Sequence, residues 1–91
     1  MSLVASTILD QINHQDSLAR ARWGVNRMLT TENSLHLILK KGKVLVEYRT
    51  GLDLYDITFG YVNRDYEWRE LESTKGVYSD DLVTVIDGML K

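Results

Sequence analysis

Two-residue alternation of apolar side chains, sustained over three consecutive stretches, limits what this chain can fold into more than any other feature. Leu35, Leu37 and Leu39, then Val44, Val46 and Tyr48, then Tyr55, Ile57, Phe59 and Tyr61 recur at every second position, interrupted at Gly42 and Gly51. Successive side chains on a strand point to opposite sides, so each set lines one face of an antiparallel sheet that is buried on that face. With Lys41-Gly42 as a two-residue loop, Leu39 pairs with Val44, Leu37 with Val46 and Leu35 with Tyr48. With Thr50-Gly51 as the next turn, Val46 pairs with Tyr55 and Val44 with Ile57. Every pair is apolar, and a slip of one residue would turn each set toward water.

Two further strands flank these three. Met28 to Thr31, followed by Glu32-Asn33 and Ser34 to Lys40, reads as a hairpin. Around Asn63, Arg64 and Asp65, an even loop places Tyr66 and Trp68 beside Phe59 and Tyr61, whereas an odd loop with regular pairing places Glu67 and Arg69 there. The even loop is the expectation, and a bulge that resets parity is the alternative.

Helical spacing brackets the sheet. Val4, Ala5, Ile8, Leu9 and Ile12 recur at three and four, which predicts a helix over residues 3–13 with one buried stripe. Asp16 or Ser17 is expected to cap a shorter helix reaching Trp23, with Gly24 as its stop. Ser79 is the expected N-cap of a last helix, with Asp80 and Asp81 in its first turn and Leu82, Val85, Ile86, Met89 and Leu90 as its stripe. The only large apolar surface able to receive both stripes is the face carrying Leu37, Val46, Ile57 and Phe59. The fold class is therefore α+β: an antiparallel four- or five-strand meander with N-terminal and C-terminal helices packed on one face.

Residues 1–91 leave room for one core and are read as a single domain. A hydrophobic fraction of 44%, periodically placed, excludes a disordered chain, and no apolar run approaches the roughly 20 residues that span a bilayer. Residues 1–12 lack the pattern of an export signal and the chain has no cysteine, so cytoplasmic residence is expected. The formal net charge of −2 divides into +3 over residues 1–50 and −5 over residues 51–91. Such polarity can orient a partner, although strands from both halves interleave on folding.

Glu32-Asn33-Ser34-Leu35, the run Leu54-Tyr55-Asp56-Ile57-Thr58-Phe59-Gly60, and Val77-Tyr78-Ser79-Asp80-Asp81-Leu82 carry a resemblance to a group of short uncharacterised phage and prophage proteins. The likeness begins near Ala5 to Leu9 and runs into the last helix. The chain departs from the group at His14 to Ser17, where the group is glycine-rich, and at Lys41 and Gly42, where the group often has a longer turn. Met1-Ser2-Leu3 lies outside the likeness, as an added leader would. The resemblance implies a phage setting in a bacterial host cell and no assigned activity. Its recurring residues read as fold signals: Asn33 for a turn with positive φ, Gly60 for a bulge or close approach, and Ser79 as a cap. Asp56, mid-strand on the outer face, is read as a cap for a loop N–H or a salt-bridge partner.

Candidate chemistry is sparse. The expected register sets His36 opposite Glu47 on the outer face, with Asp56, Thr58 and Arg69 nearby, but no nucleophile elbow or phosphate loop accompanies them, and the chain is read as a non-enzyme. Only His14 and His36 could serve as imidazole ligands, so no metal or other cofactor is expected. Protein binding is the favoured function, through Ile38 opposite Leu45 with Leu54 diagonal to them and Val62 further across, in an interaction module that could pair with a second copy. The alternative is a module for RNA or other single-stranded nucleic acid that uses Lys40, Lys41 and Lys43 at a hairpin tip together with Arg20 and Arg22.

Overall fold

The structure, a computed structural model, describes residues 3–90. Helix α1 (Leu3–Gln15) and the short α2 (Ala19–Trp23) precede five strands, β1 (Val25–Thr30), β2 (Ser34–Leu39), β3 (Gly42–Arg49), β4 (Leu54–Val62) and β5 (Trp68–Val77). A 3-10 turn (Ser79–Asp81) then leads into α3 (Leu82–Met89). The strands form one antiparallel meander in the order β1-β2-β3-β4-β5, the expected α+β architecture. Met1 and Ser2, two residues of the expected leader, lie outside the described part.

One face of the sheet carries the core. Leu35, Leu37, Leu39, Val44, Val46, Tyr55, Ile57, Phe59 and Val77 are buried against Ala5, Ile8 and Ile12 of α1, Ala19 and Trp23 of α2, and Leu82, Val83, Ile86 and Met89 of α3. Tyr55 and Phe59 therefore sit under the helices, while Leu54 and Asp56 face the other way.

Each central register differs from the expectation by two residues. The first turn is Lys40-Lys41, which opposes Leu39 to Gly42, Leu37 to Val44 and Leu35 to Val46. The next connection occupies residues 50–53, so Val44 opposes Phe59, Val46 opposes Ile57 and Tyr48 opposes Tyr55. An even displacement returns every side chain to its own face, which is why the core is unaltered. Gly42 is used by the sheet and not by the turn: a Cβ there would lie 2.4 Å from the Gly60 carbonyl oxygen.

The last connection is odd. Residues 63–67 join β4 to β5, Val62 pairs with Trp68 and Tyr61 with Arg69, and bulges between Phe59 and Gly60 and between Tyr55 and Ile57 restore parity, so that Val77 enters the core opposite Tyr55. Contrary to expectation, Tyr66 and Trp68 do not flank Phe59. The cause is Gly60, whose missing side chain leaves the place taken by the Trp68 ring; a Cβ would lie 2.7 Å from Trp68 Cζ2 and 2.3 Å from the Arg69 carbonyl oxygen.

The ends of the helices are tied by side chains. Asp16 Oδ1 accepts the Leu18 N–H at 3.0 Å ahead of α2, but the N-cap is Leu18 and not the expected Asp16 or Ser17, and no side chain caps it; Gly24, at φ +73°, stops α2 as expected. Ser79 does not cap the last helix through its side chain. Gln15 does so from the end of α1, accepting the Val83 N–H at 3.1 Å and donating to the Ser79 carbonyl. Asn33 does not have the expected positive φ; its carbonyl accepts the Tyr48 N–H at 2.9 Å, and left-handed turn conformations fall at Asp53 and Tyr66 among non-glycine residues. Asp56 makes the expected salt bridge, to Arg49 at 3.0 Å, and also accepts the N–H of Gly76 at 3.1 Å, a residue of β5 and not of a loop. Partial burial pushes its carboxyl up, but the Gly76 N–H and the Arg49 guanidinium outweigh this and hold it below the usual range.

Phe59 closes the aromatic end of this core. Phe59→Ala is expected to destabilise the domain by about 3 to 5 kcal/mol, read as a lower urea midpoint at unchanged m-value; an unmoved midpoint would contradict the packing described.

Candidate functional site

The helices pack on one side of the sheet, so the opposite face is uncovered by any described element. Pairing fixes its rows. Arg27, Ile38, Lys43, Gly60 and Glu70 cross the five strands in one row, and Leu29, His36, Leu45, Thr58 and Ser73 in the next. Ile38 thus faces Lys43 and Arg27, not Leu45. It still adjoins Leu45 diagonally, and with Leu29, which is 48% exposed, the three surround His36 in an apolar cluster.

The other two expected members of the patch are elsewhere. Leu54 opposes Arg49 at one end of β4, and Val62 opposes Trp68 at the other. Eight residues of extended strand separate them by about 26 Å. The four residues therefore form no single contact surface: Ile38 and Leu45 stay together, Leu54 is isolated, and Val62 joins a second apolar group with Trp68. Leu29 and Trp68 were not legible as members of this face. The signal that could have placed Trp68 is Gly60, the one small residue in an otherwise bulky strand.

The expected His36 and Glu47 pair does not form. Leu45 opposes His36, while Glu47 opposes Ser34 and Asp56. Arg69, paired with Tyr61, is not in this neighbourhood. Burial among Leu29, Ile38 and Leu45 pushes the His36 imidazole down, the Lys43 ammonium adds to that, and Glu47 opposes both without reversing them. No group of three or more His, Cys, Asp or Glu side chains that could hold a metal ion occurs among the described residues.

The basic residues divide. Arg22 donates to Asp16 at 2.6 Å and to both Asp87 oxygens at 2.9 and 3.0 Å, and the Trp23 indole N–H donates to Asp87 at 2.7 Å. Arg20 donates to Asn13 at 3.2 Å. Both arginines thus serve to hold α2 against α1 and α3. Lys40, Lys41 and Lys43 gather at the other feature of interest, an open depression of about 480 Å³ between the β2–β3 turn and the end of β4. Its wall includes Ile38, Tyr61 and Val62. Lys43 Nζ stands 5.0 Å from the centre of the Trp68 ring, a cation–π distance.

Next to this depression the β4–β5 loop holds an exposed tyrosine in an unfavourable backbone state. Tyr66 is 90% exposed at φ +62°. Such a conformation in a bulky residue costs on the order of 1–3 kcal/mol. Asn63 enforces it: its side-chain oxygen accepts the Asp65 and Glu67 N–H groups at 2.9 and 3.0 Å, and its carbonyl accepts the Tyr66 N–H at 3.1 Å.

No family model, curated protein or solved structure matches this chain. No described helix is long and apolar enough to cross a membrane.

The environment of His36 sets its titration. An imidazole held below its ordinary value of about 6.5 is neutral at pH 7, and the unfolded chain protonates first as the pH falls. Its contribution to stability is therefore fully present above about pH 6.5 and lost as the pH drops through the folded value. Ring resonances of His36 are expected to titrate with a midpoint below 6.5, and His36→Gln should flatten the stability loss in that window; a midpoint at or above 6.5 would show an unburied ring.

Proposed function

We propose that this chain is a small non-catalytic interaction module whose uncovered sheet face binds a protein partner, in the phage or prophage setting that its sequence likeness implies. One observation carries the reading: Leu29, Ile38 and Leu45 lie together on a sheet face that no helix covers. A sheet solvated on one side ordinarily presents polar residues there, and a grouped apolar cluster with polar and charged surroundings is the usual anatomy of a contact surface.

The surroundings fit that anatomy. Arg27, Lys43, Glu47, Thr58 and Ser73 ring the cluster, so a partner would meet an apolar centre within a polar rim. Five strands about 4.8 Å apart and six residues at about 3.3 Å each give a face of roughly 24 by 20 Å. A second copy stacked on it would bury about 1,000 Å² in total, the lower bound for a specific association. Association through this face alone is therefore weak, and another protein binds more strongly only where it also reaches beyond the sheet.

Light scattering and affinity capture from expressing bacteria, each with wild type and Leu45→Glu, test the proposal. A charge at the centre of the cluster is expected to abolish dimer formation or to release the captured protein, with the thermal midpoint nearly unchanged because Leu45 is outside the core. A strict monomer whose captured set is identical with and without the substitution would remove the reading.

A further inference from the structure

We infer that the step between the two hairpins is a binding site for single-stranded nucleic acid, which abuts the apolar cluster around His36 and shares Ile38 and Lys43 with its edge. The two hairpins end at different heights. The β2–β3 turn closes at Lys40-Lys41, whereas β4 continues past the Lys43–Gly60 pair through Tyr61 and Val62 to the loop at 63–67. The longer hairpin overhangs the shorter one, and the depression lies in the angle between them.

Charge selects the ligand class. Three lysines and no carboxylate line the depression. Among the described residues, none of the three forms a salt bridge. Two of them are nevertheless positioned: Lys41 Nζ donates to the Leu90 carbonyl at 2.8 Å, and Lys43 is held over the Trp68 ring. Spaced ammonium groups of this kind suit a row of phosphates, each contact releasing condensed counterions.

The overhang supplies the second requirement. Trp68, 39% exposed, lies on the outer face beneath Lys43, and Tyr61, also 39% exposed, turns to the other side of β4 and lines the depression, so the two rings flank it from opposite faces, with the 90% exposed Tyr66 and Arg64 in the loop beyond. Rings beside a cationic groove are the platform on which unpaired bases stack, and they have no use in gripping a duplex whose bases already stack on one another. Asn63 fixes the loop backbone, so only the Tyr66 side chain has to be ordered on binding. Carboxylates bound the site: Glu67 is engaged with Arg69 at 3.7 Å, and Glu70 sits across from Gly60, which limits the strand contacted to about three phosphates.

Titration of the whole chain into fluorescein-labelled oligo(dT) and oligo(U) of about 15 nucleotides at low salt, followed by anisotropy and tryptophan emission, tests the inference. The expected result is binding to both, quenching of Trp68 by stacked bases, and a slope of log K against log salt of about −2 for three released contacts. The double substitution Lys40→Glu, Lys43→Glu should weaken binding at least about tenfold. Trp68→Phe should remove the quenching while the buried Trp23 signal stays, which also shows that the variant is folded. Leu45→Thr, which removes an apolar side chain from the cluster without placing a charge beside Lys43, should leave the titration unchanged, separating this site from the protein-binding face. Absence of binding, equal affinity for a duplex, displacement by polyglutamate without quenching, or indifference to the lysine substitutions would each overturn it.

Discussion

Burial of one face of a five-stranded sheet under three helices is the constraint on which everything else in this structure rests. Leu35, Leu37, Val44, Val46 and Ile57 are fully buried on that face, and Ile8, Ile12, Leu82 and Ile86 fill the space above it. At about 25 cal/mol per Å² of apolar surface removed from water, these side chains are the dominant favourable term in a domain this small. Because strand side chains alternate, the same burial dictates the other face: every residue between two core positions must point away from the helices. The apolar cluster at Leu29, Ile38 and Leu45 is thus not a remnant of the core. It is a separate choice of residue at positions where lysine, threonine or glutamate would serve the fold equally well.

Two glycines give the sheet its uneven end. Gly42 lets the Gly60 carbonyl approach β3, and Gly60 lets the Trp68 ring and the Arg69 backbone approach β4. Any larger residue at either place would push the fourth and fifth strands away. With both contacts made, β5 is displaced by a bulge, Trp68 turns to the outer face, and the β4–β5 hairpin projects beyond the Lys40-Lys41 turn. Lys43 then meets an aromatic surface and not water alone, and its position follows from backbone packing more than from its own conformational preferences.

Face was legible in the sequence, and register was not. The alternation through Leu35, Val44 and Ile57 is a periodic signal that survives any even displacement, so core membership could be read although each central pairing lay two residues away from its expected place. A turn displaced by two leaves hydrophobic pattern unchanged, and nothing in Lys40-Lys41-Gly42 distinguishes a glycine needed for a turn from one needed for a neighbouring carbonyl. Function suffers more than fold from that ambiguity. Pairing Ile38 with Leu45 and His36 with Glu47 requires register, and both pairings changed once register was known. Long-range caps were equally hidden, since the capping of α3 by Gln15 joins residues separated by the entire sheet. Asp56 was readable because a carboxylate mid-strand on the open side has few other uses than local bonding.

Linear charge gave a false picture of the basic surface for a related reason. The N-terminal half carries an excess of cations, but folding spends Arg22 on Asp16 and Asp87, drawn from both halves of the chain, and sets Arg49 against Asp56. These pairs hold Asp16 below the usual carboxylate range through the Arg22 guanidinium, and Asp87 likewise through the Trp23 N–H and then Arg22. Exposed pairs of this kind add little to stability individually, yet they decide which cations stay uncommitted. Arg20, Arg27, Arg64 and Lys75 also make no ion pair among the described residues, but three lysines come together at the β2–β3 turn, beside the overhang of the β4–β5 hairpin. A modest net negative charge and a local cationic site are therefore compatible, because short-range pairing removes charge from the field unevenly and screening at physiological salt confines what is left to about 8 Å.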